Sequence, residues 1–361
     1  MTETCLHSHR YQFDDYQGPL HATPVDLPPP SGAGALLRVA YCGVCHTDLH
    51  VHQGFYDLGG GKRLDFKERN INPPITMGHE VVGVVEQLGP EADPALLGRT
   101  CLIFPWIGCG ACKACGRGAE NICVAPRFLG VFAPGGYAEH VAVPDVRYLV
   151  DIEGLNASVA ATLACSGLTT YSAIRKALPL AEGSWTAVIG CGGVGQSALQ
   201  ILKAMGEERV VAVDLSAEKR ETALAAGAAV ALDPAAADFQ QRLAATVGGD
   251  LLTVFDFVGA EATAAIAVSG LAKGGRYIVV GLFGGEFRMP LPFLPTRSIS
   301  VIGSYVGRLD ELRDLVAFVR ETRLPGVPVE LRPLSEANEA LADLEAGRVT
   351  GRLVLQGAAG A

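Results

Sequence analysis

TAVIGCGGVGQSALQILKAMGEERVVAVD, residues 186–214, is the stretch on which the fold turns. An apolar strand, Thr186–Ile189, runs into Gly190, Cys191, Gly192, Gly193, Val194 and Gly195. A helical run over Gln196–Met205 follows. A second apolar strand, Val210–Val213, ends in Asp214, nineteen residues after the last glycine. A lone G-x-G-x-x-G is weak evidence. Set after a strand, ahead of a helix and upstream of an acid at this distance, it reads as a dinucleotide fingerprint. The glycines let a pyrophosphate approach the backbone, and the first N–H groups of the helix are free to meet it. Asp214 would accept hydrogen bonds from the adenosine ribose. The competing reading is a tight strand–helix turn with no ligand.

Working outward, apolar strands alternate with Ala-rich helical stretches from about 167 to 304, the pattern of a parallel sheet. The strands are Thr186–Ile189, Val210–Val213, Ala229–Leu232, Leu252–Phe255, Arg276–Val280 and Ile299–Ile302. Residues 1 to about 165 are richer in Gly and Pro. They carry short β-type runs at Leu36–Ala40, Val81–Val85, Thr100–Phe104 and His140–Val143. After 304 come helical patterns at Leu309–Glu321 and Glu336–Ala346, then a strand, Arg352–Leu355. The fold class is α/β with a β-rich companion domain.

The 361 residues suffice for two domains. A net charge of −9 argues against nucleic acid or an acidic membrane as partner. Met1 to Tyr11 lacks an apolar core of the signal-peptide type, and no run of 18 apolar residues occurs. A cytoplasmic protein with no membrane partner is expected. Ten cysteines in that setting suggest metal ligands before disulfides.

Two cysteine groups stand out. Cys109, Cys112, Cys115 and Cys123 fall within fifteen residues, split by Gly108, Gly110 and Gly116. Four thiolates with no open position suit a structural zinc. An iron–sulfur cluster is the nearer rival, although the spacing and the lack of Pro after the last Cys argue against it. The second group is dispersed: Cys45-His46-Thr47-Asp48-Leu49-His50, Gly78-His79-Glu80, and Cys165 at the entry to a helical run. Cys45, His79 and Cys165 would hold a zinc with one position open, Glu80 would lie near it, and Asp48 would orient the His79 imidazole. Singly, His79 reads as an ordinary histidine and Cys165 as a small buried hydrophobe.

In order and approximate spacing, these motifs resemble the zinc-dependent medium-chain dehydrogenase/reductase family, in particular its alcohol dehydrogenases. The Cys₂His set matches the catalytic zinc known from those enzymes, so it is a pattern matched and not one derived. The resemblance implies a GroES-like β-rich catalytic domain over 1–166, bearing the 109–123 lobe. A Rossmann domain over 167–304 and a C-terminal completion over 305–361 would follow. It implies two zinc ions and NAD as cofactors. His46 and Arg352 would face the pyrophosphate, and Lys219 and Gly281 would also face the cofactor. Thr47 and His50 would relay a proton. The expected reaction is reversible hydride transfer between NAD and a primary or secondary alcohol, with an aldehyde or ketone as product. A homodimer or homotetramer joined near Ile299–Ile302 is expected. The alternatives are a polyol or glutathione-adduct dehydrogenase of the same fold and, remotely, a zinc-ribbon protein that binds nucleic acid. Cys165 argues against the polyol type, which often uses a Glu as third ligand.

Two departures bear on the substrate. The gap from Cys45 to His79 exceeds that of the yeast-type members, and the added residues fall in 51–72. That segment holds Phe55, Tyr56, Leu58, Leu64 and Phe66 around Gly59-Gly60-Gly61. It reads either as a packed structural insertion or as a flap over the route to the zinc. Trp106 also stands slightly downstream of the usual aromatic position.

Overall fold

Six parallel strands form one sheet in the order Val230–Leu232, Val210–Val213, Trp185–Ile189, Leu251–Asp256, Arg276–Val279, Ser300–Gly303. Numbered along the chain, that is 3-2-1-4-5-6, the doubly wound dinucleotide-binding order. The central strands are mostly apolar because helices cover both faces. One face packs on Phe239, Leu243, Val247, Ala264 and Ala267. The other packs on Leu199, Ile201 and Leu202, and that core runs on into the second sheet. The computed structural model describes residues 5–357. Residues 1–4 of the polar N-terminal stretch, and residues 358–361 of the expected C-terminal portion, lie outside the described residues.

The second sheet has seven strands. Its path is Val329–Pro333, Arg352–Gln356, Ala35–Val44, Glu80–Leu88, Thr100–Ile103 and Leu149–Asp151, with His140–Val143 also paired to Ala35–Val44. Leu353 pairs with Val44, and Gly43 with Glu80. The last strand of the chain therefore lies directly beside the one that delivers Cys45. Gly43 is required there, because a Cβ would stand 1.9 Å from Glu80 Oε2.

Three helices frame the junction. His46–Gln53 starts at Cys45 and ends at Gly54, whose φ of 85° needs no Cβ. Ser166–Ala177 starts at Cys165. Leu309–Thr322 buries Leu312, Leu315, Val316 and Val319, one face at helical spacing. It approaches Ser166–Ala177 closely at Gly167, where a Cβ would meet Leu315 at 3.1 Å.

The 51–72 segment is not an open loop. It closes as a hairpin, Phe55–Gly59 with Lys62–Asp65, followed by the 3₁₀ turn Phe66–Arg69. Gly59, Gly60 and Gly61 make the reversal, all with positive φ. Phe66 is fully buried and anchors the base. The tip reaches across to the other sheet's loops: a Cβ on Gly59 would stand 2.8 Å from the Gly285 carbonyl carbon, and one on Gly284 2.7 Å from Asp57 O.

The dinucleotide turn is equally tight. A Cβ on Gly195 would sit 1.8 Å from Gly190 O, whereas one on Gly192 would meet nothing within 4 Å. Gly195→Ala should therefore lower stability by about 1–3 kcal/mol through overpacking and weaken NAD binding. Thermal unfolding with and without NAD checks both.

Candidate metal and dinucleotide site

Cys45 lies at the end of a sheet strand, His79 just before one and Cys165 at a helix start. Each position is rigid, and the fold brings all three together with Glu80. Their ligand atoms lie within 4.8 Å of one another. The two sulfurs are 3.9 Å apart. A tetrahedral zinc with Zn–S near 2.3 Å needs sulfurs about 3.8 Å apart. His79 is wholly buried, and neither ring nitrogen makes a hydrogen bond of good geometry. Its Nδ1 stands 3.2 Å from Asp48 Oδ1, which leaves Nε2 for the sulfurs. A buried nitrogen without a partner is costly, and a cation between the three side chains removes that cost. The donor set fits zinc.

The surroundings are charged and closed to water. Asp48, itself buried, accepts from Cys45 N at 2.9 Å, Gly78 N at 3.3 Å and Tyr137 Oη at 3.3 Å. The Cys45 thiol is held well below its usual range by the Cys165 thiol, with His79 and Arg352 adding to it. Burial pushes the Glu80 carboxyl up to about 7, against the pull of Arg352. Arg352 donates through Nη2 to Glu80 Oε2 and Val44 O, while its Nε lacks a partner. The arginine expected at the pyrophosphate is thus shared. Its stem passes Gly193, where a Cβ would stand 2.3 Å from Arg352 Cδ, and its head braces the metal cluster.

The dinucleotide side assembles around the same residue. Helix Gly193–Ala204 points its N-terminus out of the turn. The His46 imidazole is kept from protonating by desolvation and by the charges of Arg352 and Lys219, so three basic side chains gather at this helix end. Asp214 holds a fixed carboxylate, accepting from Cys191 N at 2.7 Å and Ser216 N at 2.8 Å. Gly281 lies against the 258–259 backbone, and a Cβ there would stand 2.1 Å from the Val258 carbonyl carbon. Thr47 and His50 are three residues apart on helix His46–Gln53, hence on one face.

Cys109, Cys112, Cys115 and Cys123 form the second group, with Sγ separations of 3.5 Å (Cys112–Cys115), 3.8 Å (Cys112–Cys123) and 4.0 Å (Cys109–Cys115). Again the spacing is that of a zinc tetrahedron. Backbone N–H groups of Ala111 and Ala125 donate to Cys109 and Cys123. Donors of this kind from the Cys115 and Val124 backbone bring Cys112 down to about 6.

Sequence reasoning singled out Trp106 and Tyr56 but missed Tyr305, which completes an aromatic wall. Trp106 is buried with Nε1 on Ala164 O at 3.1 Å, and its ring lies 5.3 Å from His79. Tyr305 packs on Trp106 at 6.2 Å, and Tyr56 on His50 at 5.1 Å. Tyr305 carries no local signal, since only the fold brings it to Trp106. The Tyr137–Asp48 contact was equally unreadable.

A buried set of metal-ligand side chains thus stands beside a glycine turn of the dinucleotide-binding type. That pairing is the layout of a metal- and dinucleotide-dependent oxidoreductase. Residues 32–154 match the alcohol dehydrogenase GroES-like domain, and residues 193–321 match the zinc-binding dehydrogenase model. An NAD-dependent alcohol dehydrogenase of Sulfurisphaera tokodaii is 35% identical over 339 residues, 93% of this chain and 96% of the relative. The alcohol dehydrogenase of Aeropyrum pernix superposes with a TM-score of 0.87 at 32% identity, covering 96% of this chain and 99% of its own. Acetophenone reductase of Geotrichum candidum, solved in complex with NAD, gives 0.80 at 28%, covering 99% and 98%. The chain belongs to the zinc-dependent alcohol dehydrogenase family.

Purified protein should carry two zinc ions. Cys45→Ser should lose one and keep its fold, whereas Cys112→Ser should lose the other and unfold more readily, because a closed site couples metal binding to folding. Elemental analysis with thermal unfolding checks this. Metal-free native protein would contradict it.

Proposed function

We propose that this chain is an NAD-dependent zinc alcohol dehydrogenase that interconverts a primary or secondary alcohol and its carbonyl compound. The buried His79 imidazole, its Nε2 without a hydrogen bond and grouped with two cysteine thiols beside a dinucleotide turn, carries the proposal. Zinc bound there supplies a Lewis acid that acidifies an alcohol or polarises a carbonyl, and NAD supplies the hydride acceptor.

The remaining work falls to the side chains. Thr47 accepts the alcohol proton and passes it on, because a hydroxyl donates and accepts together. His50, one helical turn away, takes it toward solvent. Burial keeps the His50 imidazole from protonating, with His46 adding to the effect, so it is a free base at neutral pH. Asp48 fixes the His79 tautomer. His46, Lys219 and Arg352 draw in the pyrophosphate. Asp214 selects NAD, since a 2′-phosphate would meet its carboxylate.

Trp106, Tyr56 and Tyr305 favour a sizeable or aromatic alcohol. A glutathione-adduct dehydrogenase is the second reading. It draws on the basic rim formed by Lys62, Arg63, Lys67 and Arg69. We keep the division at 1–166, 167–304 and 305–361, and a cytoplasmic location, as part of the proposal. Among the described residues no single helix is long and apolar enough to cross a membrane. Leu282, Phe283, Leu291, Phe293 and Val301 stay exposed in the segment that leads into and forms edge strand Ser300–Gly303, which supports a homodimer or homotetramer.

NAD reduction by a panel of alcohols, with and without a chelator, tests the assignment. NAD should exceed NADP by about tenfold or more in kcat/KM, equivalent to about 1.4 kcal/mol, and Asp214→Gly should narrow that gap. Equal use of both cofactors by the parent enzyme would refute the role of Asp214.

The relay makes a separate expectation. Thr47→Val should cut turnover strongly with little change in NAD affinity. Because the His50 pKa is lowered from 6.5, activity should hold to below the ordinary histidine range before it falls. His50→Gln should flatten that acid limb and lower turnover less than Thr47→Val. A Thr47→Val enzyme with parental turnover, where chemistry limits the rate, would remove Thr47 from the relay.

A further inference from the structure

We infer that Arg69 selects substrate: it gives the site a preference for alcohols and carbonyl compounds that bear a carboxylate at the end remote from the reacting carbon. The inference rests on the dehydrogenase reading and narrows its substrate class.

Arg69 closes the 3₁₀ turn Phe66–Arg69, at the base of the hairpin. Phe66 in the same turn is buried, and its ring lies 4.8 Å from Tyr56. Tyr56 in turn lies 5.1 Å from His50. Aromatic contacts thus fasten the turn to the helix that carries Thr47 and His50. Tyr305 lies edge-on to Trp106, whose ring in turn lies tilted against His79. Tyr56 and Tyr305 share an electrostatic setting. Burial raises both phenols most, the Cys165 sulfur raises both further, and Arg69 lowers both. Arg69 is thus within electrostatic reach of two phenols that also sense a metal-ligand sulfur.

Arg69 is also free. Arg99, Arg175 and Arg332 are each tied to an Asp. Among the described residues no carboxylate lies within ion-pair range of Arg69, whose side chain is exposed. The hairpin and turn over 55–69 carry Lys62, Arg63, Lys67 and Arg69 against Asp57, Asp65 and Glu68, in a chain of net charge −9. A locally positive lip on an acidic protein draws anions to that point. The planar guanidinium matches a carboxylate with two parallel hydrogen bonds, and the aromatic rings on either side suit an apolar body between carboxylate and alcohol.

The test compares 4-(hydroxymethyl)benzoate with benzyl alcohol as substrates of the zinc-loaded enzyme with NAD. The parent should favour the carboxylated alcohol in kcat/KM by about tenfold at low salt, less at high salt. Arg69→Gln should bring the ratio near one, and Arg69→Lys should keep part of it. S-hydroxymethylglutathione forms a third arm, and its rank tells an aryl carboxylate from a peptide one. A parental ratio near one, or a ratio unchanged in Arg69→Gln, would overturn the inference, as would an equal loss on both alcohols. Oxidation of no alcohol by the parent would count against the dehydrogenase reading itself. Binding then decides for Arg69: in the NADH complex, benzoate should quench tryptophan fluorescence at lower concentration than benzamide, and Arg69→Gln should abolish the difference. Equal binding of the two in the parent would overturn it.

Discussion

A knot of buried charge holds this structure together. Asp48, His79, Glu80 and Arg352, with the Cys45 and Cys165 thiols, lie out of water in one place. Charges in such surroundings survive only when paired and hydrogen-bonded. Asp48 meets that condition through backbone N–H groups and Tyr137. Arg352 and Glu80 meet it through each other. The two thiols have mainly each other, and the imidazole makes no hydrogen bond of good geometry; a divalent cation would complete them.

Arg352 ties that knot to the nucleotide side. It comes from the last strand of the chain, lies beside Val44, and runs under the glycine turn at Gly193. Few positions touch both halves of the chemistry so directly. The C-terminal strand is therefore part of the site's framework, although the side chains that could hold metal all come from the first half of the chain.

How much of this could be read beforehand followed from whether the signal was local. The turn Gly190–Gly195 and the strand ending at Asp214 were legible because backbone clearance dictates glycine there, and the structure repeats the reading almost residue for residue. Strand ends shifted by one to four residues, as at Leu251–Asp256, Glu80–Leu88 and Ala35–Val44. The four-cysteine lobe was legible from spacing alone. The dispersed set needed a known pattern, because nothing in residues 45, 79 and 165 says that they meet. The 51–72 segment read as a loop since its apolar residues show no clean alternation. The fold pairs Phe55 with Asp65 and Tyr56 with Leu64, and buries Phe66 below them. Trp106 against Tyr305 was beyond reach, because it is a contact between two sheets.

The hairpin tip has one more consequence. At Gly59 and Gly285 two backbones touch with no side chain between them, one from each half of the molecule. Gly285 is exposed and Gly59 half-buried, so by exposure alone substitutions there look tolerable. Sterically they behave as a closed seam, and any methyl group added there becomes a wedge. For anyone redesigning this enzyme, an affinity tag or loop graft on that tip would disturb a contact between two distant stretches of chain and not a free surface.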